Sequence, residues 1–190
     1  MMNLLLLKRL LYLAVLASAV GCSSMTANTI KDGEDSKLML QGHDPVGYFT
    51  ERRHIPGNAS IKTVHEGLTY RFTSEANRQA FLKDPVKYIP QYGGFCTNGI
   101  VYAIPWGGDA DTWEIINDKL YIFGGHGSKN YFLMDKARNL ELADKYWIEE
   151  VNGKSPFFQR YKRLAFRVPH YKSGEELEAQ WQARQTKAPQ

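Results

Sequence analysis

With two cysteines in 190 residues, the chain cannot be a disulfide scaffold, and its aromatic-rich interior must stabilise the fold unaided. Neither Cys-x-x-Cys nor His-x-x-x-His spacing occurs, which withholds the ligand pairs of a preformed tetrahedral zinc site. There is no glycine-rich phosphate loop, no nucleotide fingerprint with its flanks and no Ser/His/Asp ordering. Nucleotide-dependent and triad chemistry therefore have no support. Excess charge is also scarce: the formal net charge is +4, too small an imbalance to make nucleic acid an expected partner. Beyond the first residues no apolar run is long enough to cross a bilayer.

The N-terminus has the layout of a secretory signal over residues 1–21: Lys8 and Arg9, then an uncharged run over 10–20, then Gly21-Cys22. Ala19-Val20-Gly21-Cys22 fits a lipobox, with alanine where leucine is commoner. On that reading Cys22 becomes an acylated N-terminus and the lipid bilayer a partner, each buried methylene contributing about 0.8 kcal/mol. The alternative is an ordinary cleaved signal with an incidental cysteine. Ser23 and Ser24, with no Asp beside the cysteine, resemble lipoprotein cargo sent to the outer membrane. The expected location is thus the cell envelope, on the outer membrane facing the periplasm. Loss of Lys8 and Arg9 lowers the net charge to about +2. Residues 22–37, polar and small, read as a tether.

A folded domain over 38–150 and a basic-aromatic extension over 151–190 follow. Asp44-Pro45 marks a turn, and Val46 to Phe49 reads as the start of a short strand. Residues 61–64 and 68–72 flank His65-Glu66-Gly67 as a hairpin, with Ser74 capping the helix that follows and Asp84-Pro85 stopping it. Residues 113–116 and 120–123 flank Asn117-Asp118-Lys119 as a second hairpin. Ser128 is the expected cap of a long helix with a break near Asp135. Two hairpin-helix units predict an α+β fold of small antiparallel hairpins packed with helices.

Between Val151 and Gly174 no acidic residue occurs, while Lys154, Arg160, Lys162, Arg163, Arg167 and Lys172 alternate with Phe157, Phe158, Tyr161, Phe166 and Tyr171. One reading is a contact with anionic lipid or a partner protein. The favoured one is an arm that packs its aromatic face on the domain with its basic residues outward. Residues 175–185 read as a short polar helix.

Several segments together resemble one family. They are Gly42-His43-Asp44-Pro45-Val46-Gly47-Tyr48-Phe49, Tyr70-Arg71-Phe72-Thr73-Ser74-Glu75-Ala76-Asn77, Asp84-Pro85-Val86-Lys87-Tyr88, Gln91-Tyr92-Gly93-Gly94-Phe95-Cys96 and Ala143-Asp144-Lys145-Tyr146-Trp147. The chain resembles the YHS-domain proteins, in particular the secreted bacterial branch of YHS domain-containing (seleno)proteins, over roughly two thirds of the mature chain. The resemblance implies a compact α+β domain with metal or redox chemistry. YHS modules of heavy-metal transporters carry cysteines just after the Tyr-x-Phe strand and in the next helix. Here Thr73 and Ala76 or Asn77 stand there, so that soft-ligand site is missing. In the secreted branch the place of Cys96 is sometimes taken by selenocysteine, which implies a chalcogen available for redox or soft-metal work.

Cys96 is the one thiol left outside the leader and lipobox. A thiolate is both a nucleophile and a soft ligand. As a ligand it needs partners, and His126 in Gly124-Gly125-His126-Gly127 and His43 before Asp44-Pro45 are the candidates, ahead of His54 and His65. Copper(I), which accepts few soft ligands, is the metal a Cys/His set suits. Asp44 reads as a turn residue, and Asp109 and Asp111 as a polar loop before a strand. Three functions stay open: a soft-metal-binding module using Cys96, a thiol-redox enzyme using Cys96 with an external thiol, and an interaction lipoprotein whose cysteine is an inert small hydrophobe.

Overall fold

The computed structural model describes residues 26–187; the expected signal over 1–21 and the acylation site Cys22 lie outside them. The fold is mixed α+β, as expected. Strands β1 (Thr29–Asp32), β2 (Asp35–Met39), β3 (Asn58–His65) and β4 (Leu68–Phe72) form a sheet of order β1-β2-β4-β3. Strands β5 (Asp109–Ile116) and β6 (Lys119–Phe123) form a separate antiparallel hairpin. Both expected hairpins are present, β3 with β4 and β5 with β6. Their tight turns place Glu66 and Gly67, and Asn117 and Asp118, at positive φ, the geometry that matches strand twist.

The tether expected over 22–37 is corrected where β1 and β2 begin: residues 29–32 and 35–37 are strand residues of the sheet. Strand β2 pairs parallel to β4 through Leu38 and Thr69, and Leu38 and Met39 are fully buried. Asp35 is buried and clamps the sheet. It accepts hydrogen bonds from Lys62 Nζ at 2.6 Å and from Arg71 Nε and Nη2 at 2.9 and 2.7 Å. The Lys62 ammonium above all, with the Arg71 guanidinium, holds the Asp35 carboxyl below its ordinary value despite burial.

Helix α1 (Gly47–Thr50) replaces the strand expected from Val46. Asp44 causes this: its Oδ1 accepts the Val46 N–H at 2.9 Å, an Asx-type turn that starts a helical turn. Helix α2 (Glu75–Lys83) is capped by Ser74, which accepts from the Asn77 N–H, and α3 (Pro85–Tyr88) begins at Pro85 after Asp84. Next come α4 (Thr97–Ile100), α5 (His126–Leu133) and α6 (Lys136–Tyr146), with the expected break at Asp135 between the last two. A π-turn over Trp147–Val151 leads to α7 (Pro156–Ala165), and α8 (Gly174–Gln185) carries a Ser173–Glu176 capping box.

Two hydrophobic clusters share β6 between them. Leu120 and Ile122 join Tyr48, Tyr70, Phe72 and Phe81 over the sheet, while Tyr121 and Phe123 join Ile100, Ile104, Phe132 and Tyr146 among the helices. This is the period-two alternation of a strand buried on both faces. Among the described residues, every buried side chain of both clusters falls within residues 39–177, so the polypeptide from Ser23 onward carries both clusters.

The extension is helical, which corrects the expected arm with its aromatics packed inward. In α7 the polar edge faces the body. Gln159 is 5% exposed and donates to the Ala103 carbonyl at 3.0 Å. Glu150 binds Arg163, Lys162 and Gln159. Phe157, Phe158, Tyr161 and Leu164 point outward instead.

Candidate functional site

Cys96 follows a turn over Gln91–Gly94 in which Tyr92, Gly93 and Gly94 all have positive φ. Gly93 is required there twice over. Its φ is +59°, and a β-carbon at that position would lie 2.2 Å from the Thr26 carbonyl oxygen. The Cys96 N–H donates to the Trp106 carbonyl at 2.9 Å, and Thr97 Oγ1 donates to the Ile122 carbonyl at 2.9 Å, tying the thiol's backbone to β6.

The sulfur lies 3.0 Å from the hydroxyl of Ser128. Ser128 was expected to cap its helix; that place is taken by Gly125, whose φ of 110° only glycine adopts without strain. Ser128 therefore sits inside the first turn of α5 and turns its hydroxyl to Cys96. No side chain caps α5, so its first amides retain the partial positive charge of a helix N-terminus. Cys96 is 4% exposed but belongs to neither hydrophobic cluster. It is covered by exposed Gly124, where an added β-carbon would meet the Cys96 sulfur at 3.5 Å and the Gly107 carbonyl oxygen at 3.0 Å.

His126 opens α5 two residues before Ser128 and is exposed. The His43 Nδ1 lies 3.0 Å from the Leu40 carbonyl, with its ring edge-on to His54 at 5.6 Å between centroids. His65 stands at the hairpin end beside Glu66, at 4.0 Å. Among the described residues no three His, Cys, Asp or Glu side chains are grouped to hold a metal ion, so Cys96, His126 and His43 do not make a three-ligand set.

Asp44 does more than shape a turn. Its Oδ2 accepts from the Thr73 N–H, the Thr73 hydroxyl and Asn77 Nδ2, each at 2.8 Å. Thr73 and Asn77 enclose a fully buried carboxylate. Asp109 and Asp111 are exposed residues of β5, Asp111 accepting from the neighbouring Thr112 hydroxyl at 3.0 Å.

Sequence reasoning missed Ser128 as the thiol's partner, Gly124 as its cover, and His170. The His170 Nε2 lies 2.9 Å from the Val101 carbonyl, and its ring stacks on Tyr102 and Tyr146, pinning the segment between α7 and α8 to the helical core. Burial pushes the Tyr102 hydroxyl up to about 12. Set against protein-family models, curated proteins and solved structures, the chain matches none.

Proposed function

We propose that the chain is a YHS-like envelope lipoprotein, anchored to the outer membrane through acylated Cys22, in which Cys96 is a reactive thiol. One observation carries this reading: the Cys96 sulfur is hydrogen-bonded to Ser128 in the uncapped first turn of α5. The Ser128 hydroxyl is placed to carry a proton from the sulfur, and sulfur is the nucleophile of this pair. Gly124, without a side chain, is the thin point of the cover through which a small reagent reaches the sulfur.

The chemistry is a monothiol peroxidase cycle. The sulfur attacks the distal oxygen of a hydroperoxide, the O–O bond breaks, and the thiol proton passes to the departing alkoxide or hydroxide, with the Ser128 hydroxyl as carrier. Cysteine is oxidised to sulfenic acid and the peroxide reduced to an alcohol or water. With no resolving cysteine in the globular part, an external monothiol displaces water to give a mixed disulfide. A second monothiol then regenerates Cys96. The test is mass-spectrometric tagging of sulfenate after mild peroxide treatment, in the wild type, Cys96→Ser and Ser128→Ala. Absence of a tag on the wild type defeats the reading.

A second reading, a copper(I) ion held by Cys96 with His126, is favoured by the position of His126. Its ring makes no hydrogen bond or ion pair among the described residues and opens the helix that Ser128 brings to the sulfur. Two soft ligands suffice for copper(I). Equal copper(I) affinity of the wild type, Cys96→Ser and His126→Ala in a competition titration removes it.

A further inference from the structure

Helix α7 is amphipathic with its apolar face turned away from the protein. Phe157, Phe158, Tyr161 and Leu164 recur at the spacing of one helical face, and they are 56%, 73%, 61% and 46% exposed. Phe166, just beyond the helix, is 73% exposed. The polar edge, Gln159 and Arg163, is spent on Ala103 and Glu150. A helix that buries its polar edge and displays its aromatics has a second surface to meet.

Charge and chain geometry identify that surface. No acidic residue occurs between Val151 and Gly174. Lys154, Arg160, Arg167 and Lys172 form no ion pair among the described residues. Lys154 and Lys162 share one groove with Phe158, Glu149 and Glu150. An aromatic face on a segment with an excess of cations suits the boundary between acyl chains and anionic headgroups, where rings insert and basic groups reach the phosphates. The chain's own attachment lies beside this face. The Thr26 hydroxyl donates to the Lys154 carbonyl at 3.1 Å and accepts the Gly153 N–H at 2.9 Å, fixing the start of the described chain two residues before α7. Thr26 is four residues from Cys22, a span of at most about 14 Å.

We propose that the outward face of α7, with Phe166, docks onto the surface of an anionic phospholipid bilayer, laying the domain against the membrane that holds Cys22. The placement of the anchor rests on the proposed acylation; the apolar face and its cations do not. Docked this way, the domain keeps one orientation to the bilayer, because anchor and helix are two contacts at one corner of the molecule.

The test uses the unacylated polypeptide from Ser23 onward, which contains both hydrophobic clusters, with vesicles of phosphatidylglycerol and phosphatidylcholine and with vesicles of phosphatidylcholine alone. The expected result is co-sedimentation with the anionic vesicles, at least tenfold weaker with the neutral ones. Phe158→Ser/Phe166→Ser lowers anionic-vesicle binding at least tenfold with an unchanged circular dichroism spectrum, since both rings are largely in solvent. Equal binding by this variant and the wild type overturns the proposal, as does no binding by either. Self-association in ultracentrifugation that the variant abolishes, without vesicle binding, also overturns it and assigns the face to a second copy. Mass analysis of Cys22 in the full chain tests acylation separately: an unmodified cysteine with vesicle binding intact removes the anchor and leaves the docking face.

Discussion

Cys96 Sγ and Ser128 Oγ lie 3.0 Å apart although 32 residues separate them in the chain. The pair joins the second residue after a glycine turn to the first turn of α5, with β6 between them in sequence. A single hydrogen bond contributes about 1 kcal/mol net, which converts to about fivefold in a rate. Ser128→Ala is therefore expected to slow peroxide-driven sulfenate formation at Cys96 about fivefold and to cost about 1 kcal/mol of stability. The tagging rate checks it, and an unchanged rate removes Ser128 from the chemistry.

Gly124→Val tests the cover over the thiol. The added side chain starts 3.5 Å from the Cys96 sulfur and 3.0 Å from the Gly107 carbonyl, so it fills the approach and crowds the neighbouring backbone. Labelling of the native protein by a small alkylating reagent is expected to fall at least tenfold, with a modest cost in stability of about 1–2 kcal/mol. Labelling at the wild-type rate places the route to sulfur elsewhere.

The Asp44 carboxylate accepts four hydrogen bonds in a fully buried position, three of them from Thr73 and Asn77. Asp44→Asn keeps the size but presents an amide donor to donors and discards the charge that strengthens each bond. A loss of about 3 kcal/mol is expected in a urea melt. A change below about 0.5 kcal/mol shows that the cage does not stabilise the fold.

Local signals were legible in the sequence and distant ones were not. The turns at Glu66-Gly67 and Asn117-Asp118, the Ser74 cap and the break at Asp135 depend on residues within a few positions, and the structure contains them all. Strands β1 and β2 depend on Leu38 pairing with Thr69 and on Asp35 meeting Lys62 and Arg71, which no short window reveals. Ser128 had the chemistry of a cap, but Gly125 at positive φ ends the strand connection one turn earlier and frees the hydroxyl for Cys96. Over α7 the basic and aromatic residues read as an arm, because composition alone shows neither that they form a helix nor which face meets the body. Glu150 and the Ala103 carbonyl settle it.

Asp35 gives the sheet a pH dependence with a defined sign. Its hydrogen bonds to Lys62 and Arg71 lower the folded-state value below the ordinary 3.8. The contribution is complete above that ordinary value and is lost as the pH falls through the depressed folded one. Stability measured by urea from pH 7 down to about 2 is expected to fall more steeply in the wild type than in Asp35→Asn. At pH 7 the variant is expected to be about 2 kcal/mol less stable, because Arg71 is left half-satisfied beside a neutral amide. Parallel curves for the two proteins would show that the clamp is not linked to folding.

Glu150 is expected to govern α7 alone. Burial would raise its carboxyl, but hydrogen bonds from Arg163, Lys162 and Gln159 outweigh that and hold it below the ordinary 4.5. The ion pairs are therefore fully formed above that value and weaken as the pH falls through the depressed one. Both hydrophobic clusters lie outside Pro156–Ala165, so detaching this helix leaves the core closed and the opening local. Glu150→Gln removes about 1–2 kcal/mol of attachment. Amide exchange over Pro156–Ala165 is expected to accelerate roughly five- to thirtyfold at neutral pH, with exchange in β6 and α6 unchanged. Acceleration spread evenly through β6 would instead make α7 part of the cooperative core, its outward aromatics held there by global folding.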